Sequence, residues 1–112
     1  MKLKSEVVRE ERKAGGEGTT VIEKLLAKEQ LRDRCGMFSR VTLNPGCSIG
    51  VHTHHGNTET YYILSGEGTY TDDGETYPVR PGDITFCPEG HSHGLACAGS
   101  EPLIFMALII NT

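Results

Sequence analysis

No stretch of this chain is apolar for long enough to form a membrane-spanning helix. The longest apolar run, Leu103 to Ile110, falls far short of the ~20 residues that such a helix needs. No secretory leader is expected, because Met1 to Lys13 is charged and has no apolar segment. A cytoplasmic location is therefore expected. Cations are scarce in the later two thirds. Ten of the eleven Lys and Arg lie at or before Arg40 against seven acids, a net of +3. Beyond it Arg80 stands alone against eight acids, a net of −7. Nucleic-acid binding needs clustered cations that displace counterions from phosphates, so no such partner is expected. The early cations alternate with Glu and read as a solvated surface. Paired-cysteine motifs are absent as well: Cys35, Cys47, Cys87 and Cys97 show no C-x-x-C spacing. Without a secretory context they read as free thiols, mostly small core residues.

What is present points to one all-β domain. A chain of 112 residues is long enough for a single hydrophobic core. Glycine, at 14 residues, is nearly double its usual share of about 7%, which favours many tight turns. Residues 1–17 are polar and broken by Gly15, Gly16 and Gly18. They form an N-terminal arm expected to be loose or to pack on a partner subunit, leaving 18–112 as the domain. Thr19–Ile22 reads as a β segment, and Leu25–Arg34 as a short helix or turn. Strands follow at Met37–Leu43, Thr60–Leu64, Thr69–Thr71, Glu75–Tyr77 and Asp83–Cys87. Asn44-Pro45-Gly46, Asp72-Asp73-Gly74, Pro81-Gly82 and Pro88-Glu89-Gly90 separate them. Leu103–Ile110 is apolar on both faces, so both faces are expected to be covered. Short strands at this spacing indicate a sandwich or closed barrel.

All five histidines fall in two clusters, His52, His54 and His55 in one and His91 and His93 in the other. In an extended strand His52 and His54 share a face. A hairpin through Gly56-Asn57-Thr58 can return the Glu59 carboxylate to them, and His93 closes the set. Three neutral imidazoles and a carboxylate suit one divalent transition metal. The alternative is a histidine-rich surface loop.

The spacing Gly46-x5-His52-x-His54-x4-Glu59-x6-Gly66 resembles the first cupin motif at every defined position. Gly82-x5-Pro88-x-Gly90-x2-His93 resembles the second. Where cupins commonly carry Asn four residues after this histidine, the chain has Cys97. The resemblance spans roughly Phe38 to Ile110. It implies a small antiparallel jelly-roll barrel, usually dimeric through its N-terminal strands, with a metal inside held by His52, His54, Glu59 and His93. Cys97 does not touch that ligand set. Its simplest role is a small core residue, although parity from His93 also allows it to face inward.

Four protein ligands close a tetrahedral ion, whereas octahedral Fe, Mn, Ni or Co keeps two adjacent positions open; Zn is the further candidate. The sequence does not choose among these metals. Around the site, strand parity points Tyr61 inward. In similar cupin lyases a tyrosine at that offset is the catalytic base; the alternative is a barrel-lining aromatic. His91 shares the parity of His93 and is either an acid–base group or an exposed turn residue. His55 is expected to face solvent. Arg80 is either a carboxylate anchor or a surface residue, and Tyr62 and Leu64 are assigned to the face opposite Tyr61. Core is the default position for Met37, Phe86 and Phe105. The expected function is a metalloenzyme acting on a small oxygen-rich metabolite by oxygenase, lyase or isomerase chemistry. The alternative is a non-catalytic module that binds a sugar or organic acid.

Overall fold

The computed structural model of the chain describes residues 1–112. Its strands are β1 (Glu6–Glu11), β2 (Thr19–Lys24), β3 (Cys35–Leu43), β4 (Ser48–Thr53), β5 (Asn57–Ser65), β6 (Gly68–Asp72), β7 (Glu75–Val79), β8 (Ile84–Cys87), β9 (Ser92–Cys97) and β10 (Leu103–Asn111). One helical turn, α1 (Lys28–Leu31), lies between β2 and β3, within the segment expected to be a helix or turn. A six-stranded sheet runs in the order β1-β2-β3-β10-β5-β8, and a four-stranded sheet runs β4-β9-β6-β7. Every pairing is antiparallel, the jelly-roll expected from the motifs. No helix is long and apolar enough to cross a membrane.

The two sheets close on one core. Ile22, Val41, Leu43, Ile63, Leu103 and Phe105 come from the larger sheet, and Ile49, Tyr70, Val79 and Leu95 from the smaller. Alternation along each strand supplies these residues: in β10, Leu103, Phe105 and Ala107 are buried while Ile104, Met106 and Leu108 are half-buried. The Asp73-Gly74 connection has φ of 47° and 89°. Two positive φ values in a two-residue loop match the twist of the β6–β7 hairpin.

The structure departs from the sequence reading in three places. First, β4 and β5 do not pair as a hairpin but lie in different sheets. Gly56, with φ of 77°, helps turn the chain across the barrel. Second, the outer row of β10 is only half-covered within one chain. Third, Phe86 is 54% exposed, because the β8 register puts it opposite Thr60 on the outer face. Residues 6–11 ladder onto β2 residue for residue. Among them only Val8 packs against the core.

Candidate metal centre

The four clustered side chains come from both sheets. His52 lies near the end of β4, directly opposite His93 of β9. His54 follows β4, where its N–H donates to the His91 carbonyl (3.1 Å) and its carbonyl accepts the Gly90 N–H (2.7 Å). Glu59 reaches the three imidazoles from β5 in the opposite sheet. His54, Glu59 and His93 are buried and His52 is half-buried, and one ligand atom from each lies within 4.8 Å of every other.

The outer side of each imidazole is already engaged. His52 Nδ1–H donates to the Gly50 carbonyl (2.8 Å). His54 Nδ1–H donates to Asn57 Oδ1 (2.6 Å), and His93 Nδ1 pairs with the Tyr70 hydroxyl (2.8 Å). These partners direct Nε2 of His54 and His93 inward, where the two lie 3.0 Å apart. Each is also 3.0 Å from Glu59 Oε1, and His52 Nε2 is 3.9 Å from it. Outer hydrogen bonds that fix the ring and free one nitrogen are the usual support of a metal-binding histidine.

The donor set fits a divalent transition ion. Right-angled donors about 2.1 Å from one ion are ~3.0 Å apart, and tetrahedral ones ~3.4 Å. The three mutual separations of 3.0 Å are of this size, and His52 Nε2 stands farther out, 3.9 Å from Glu59 Oε1. Electrostatics agree with a cation here. Burial raises the Glu59 carboxyl, but the surrounding imidazoles of His52, His54 and His93 outweigh it and hold the group well below the usual range. The Glu59 hydrogen bond raises the His54 pKa against the effect of burial, and burial lowers that of His93. Tyr70→Phe should keep the fold and weaken metal affinity about tenfold, read by competition with a chelating dye, since lost outer partners typically cost 10–100-fold.

A cavity of about 210 Å³ opens onto His52, His54 and Glu59. It is lined mainly by apolar side chains, including Ile22, Met37, Val41, Ile49 and Phe105. Tyr61 also lines it, stacked on His93 with ring centroids 5.0 Å apart. Burial, reinforced by Glu59, pushes the Tyr61 phenol well above its ordinary pKa. His91 is not brought to the cluster: it is exposed and pairs with Asp73. His55 and Arg80 are also exposed. Cys97 is half-buried, and its thiol donates to the Glu101 carbonyl (3.2 Å). The sequence reading missed Lys13 and Thr20, which line the cavity, and the outer partners Asn57 and Tyr70. Of these, only Asn57, three residues after His54, carried a local signal.

Comparison with known proteins places the fold. The family profile described as "Cupin domain" matches residues 39–109. An "Oxalate-binding protein" of Thermotoga maritima is 39% identical over 96 residues, covering 86% of this chain and 79% of that protein. The crystal structure of a predicted oxalate decarboxylase, also from Thermotoga maritima, superimposes with a TM-score of 0.91 at 39% identity. That match covers 95% of this chain and 92% of the other. A cupin domain from Schizosaccharomyces pombe, at 14% identity, has a TM-score of 0.77 over 95% of this chain and 69% of its own, a likeness of fold alone.

Proposed function

The chain belongs to the cupin family, and on that premise we propose that it holds one divalent transition metal on His52, His54, Glu59 and His93 and captures a small organic acid there. The observation that carries this reading is the inward convergence of imidazole Nε2 atoms on Glu59, with each Nδ1 engaged outside. When bound, the ion supplies Lewis acidity to ligand oxygens at its free positions. The chain's own residues then set the ligand class. A cavity of about 210 Å³ lies below the 300–1,000 Å³ of drug-sized sites, so the occupant has few heavy atoms. Its apolar walls limit water, and Glu59 reduces the charge of the centre. The Thermotoga maritima names, an oxalate-binding protein and a predicted oxalate decarboxylase, support oxalate as the first probe.

Turnover is the second reading, favoured by Tyr61 standing in the cavity wall beside His93. Capture is preferred because His91, the other acid–base candidate, lies outside the cavity. The test is calorimetric titration of oxalate into manganese-loaded and metal-free protein, followed by product analysis. Saturable binding near one oxalate per chain, only with metal, and oxalate recovered intact are expected. Formate or carbon dioxide that disappears in Tyr61→Phe, with metal content unchanged, would establish turnover instead. No binding to the loaded protein would sink both readings.

We also propose a cytoplasmic homodimer. The four cysteines are free, as suits a reducing compartment. Outside the larger sheet, Met106, Tyr62 and Ile84 form one cross-strand row, and Leu108, Thr60 and Phe86 the next. Tyr62, Leu64, Ile84 and Phe86 are exposed, and a contiguous apolar face of this kind is a usual interaction surface. A second copy can cover it around a twofold axis. Light scattering should give about twice the 12.2 kDa chain mass, and Phe86→Glu should give the monomer. A monomeric wild type would refute the dimer.

A further inference from the structure

Residues 12–18, which join β1 to β2, combine backbone strain with a tight clamp. Arg12 and Ala14, on either side of Lys13, have φ of 48° and 54°, a left-handed region that non-glycine residues seldom occupy. The segment is fixed against β4. A Cβ on Gly16 would lie 2.2 Å from the Ser48 carbonyl oxygen, and one on Gly50 would lie 2.1 Å from that of Ala14. Only glycine at both positions allows this approach. The Ser48 N–H donates to the Glu17 carbonyl (2.8 Å), and the Glu17 N–H donates to Ser48 Oγ (2.9 Å). The Gly50 carbonyl in turn orients His52. One short stretch of β4 therefore positions both a metal-ligand candidate and the turn that carries Lys13.

Lys13 is the one Lys or Arg that lines the cavity. Its Nζ lies 3.1 Å from Glu10 Oε2, an exposed i,i+3 pair. Such pairs are weak, so the ammonium can exchange Glu10 for a ligand at little cost. Thr20 lines the same cavity, and its buried hydroxyl has no hydrogen-bond partner. A buried hydroxyl without a partner is costly, and a polar ligand would satisfy it.

We infer that Lys13 is the specificity residue of this cavity, pairing with the carboxylate oxygens of a small dicarboxylate that face away from the metal centre. The inference rests on the proposed metal-and-acid reading. Charge balance supports it. A divalent ion beside ionised Glu59 leaves one net positive charge, so a bound dianion carries one uncompensated negative charge. Leaving that charge unpaired in a cavity with apolar walls is unfavourable, and Lys13 neutralises it. Thr20 offers the accompanying hydroxyl. The cavity therefore prefers dianions to monoanions.

The test titrates oxalate and acetate separately into manganese-loaded wild type and Lys13→Gln, with metal content measured on each. Lys13 has no positive φ, so glutamine fits the backbone without added strain. Oxalate affinity should fall at least tenfold, as for loss of a charge-assisted hydrogen bond. Acetate affinity should change less than about twofold, and metal content should not change. Lys13→Arg should recover part of the loss. Unchanged oxalate affinity in Lys13→Gln, equal losses for both acids, or loss of metal would overturn the role of Lys13 alone. Failure of the wild type to bind either acid would overturn the reading of the metal site, and this inference with it.

Discussion

His93→Ala should reduce metal content from about one ion per chain to below about 0.1. His93 is 1% exposed and is a node of the cluster. Its Nε2 lies 3.0 Å from both His54 Nε2 and Glu59 Oε1, and its Nδ1 meets Tyr70. Loss of an outer partner alone weakens metal binding 10–100-fold, so loss of a ligand should exceed about 100-fold. The substitution also leaves the Tyr70 hydroxyl without its partner, a cost of ~1–3 kcal/mol in a buried site. His55→Ala and His91→Ala, both at exposed positions, should retain the ion. Elemental analysis of the three variants checks this directly. A His93→Ala protein that retains about one ion would remove His93 from the ligand set.

Phe105→Ala should cost about 3–5 kcal/mol of stability, the range for deleting a buried Phe ring. Phe105 is fully buried in the first half of β10. It lies between Val41 of β3 and Ile63 of β5 in register. Its ring packs on Tyr61 with centroids 4.7 Å apart, and Tyr61 stacks on His93. The cavity left by the ring would therefore open beneath the site, so metal affinity should also fall, though less than in His93→Ala. Urea unfolding measures the stability loss. A loss below about 1 kcal/mol would mean that the surrounding side chains collapse into the space.

Turns and inward faces were legible because their causes are local. Asp73-Gly74 supplies the two positive φ values of its hairpin, and strand parity places Tyr61 inside and Tyr62 outside. The two histidine clusters, brought opposite each other on β4 and β9, could be read from their spacing. The route of Glu59 was not, because whether a short loop closes a hairpin or crosses between sheets depends on the partners of both strands. Lys13 was hidden for a related reason. Its place in the cavity arises from Gly16 and Gly50 meeting across about 34 residues of chain, which no local pattern encodes. Strand β1 was equally unreadable, since only Val8 among its six residues packs against the core. Phe86 looks like core by composition, but the alternation of β8 gives the inner face to Thr85 and Cys87 and turns Phe86 outward.

The central claim is that His52, His54, Glu59 and His93 hold one metal ion. Elemental mass spectrometry on protein purified without added metal or a histidine tag tests it most directly. About one iron, manganese, nickel, cobalt or zinc ion per chain is the expected result. A protein that retains no ion, even after reconstitution with each of these metals, would contradict it.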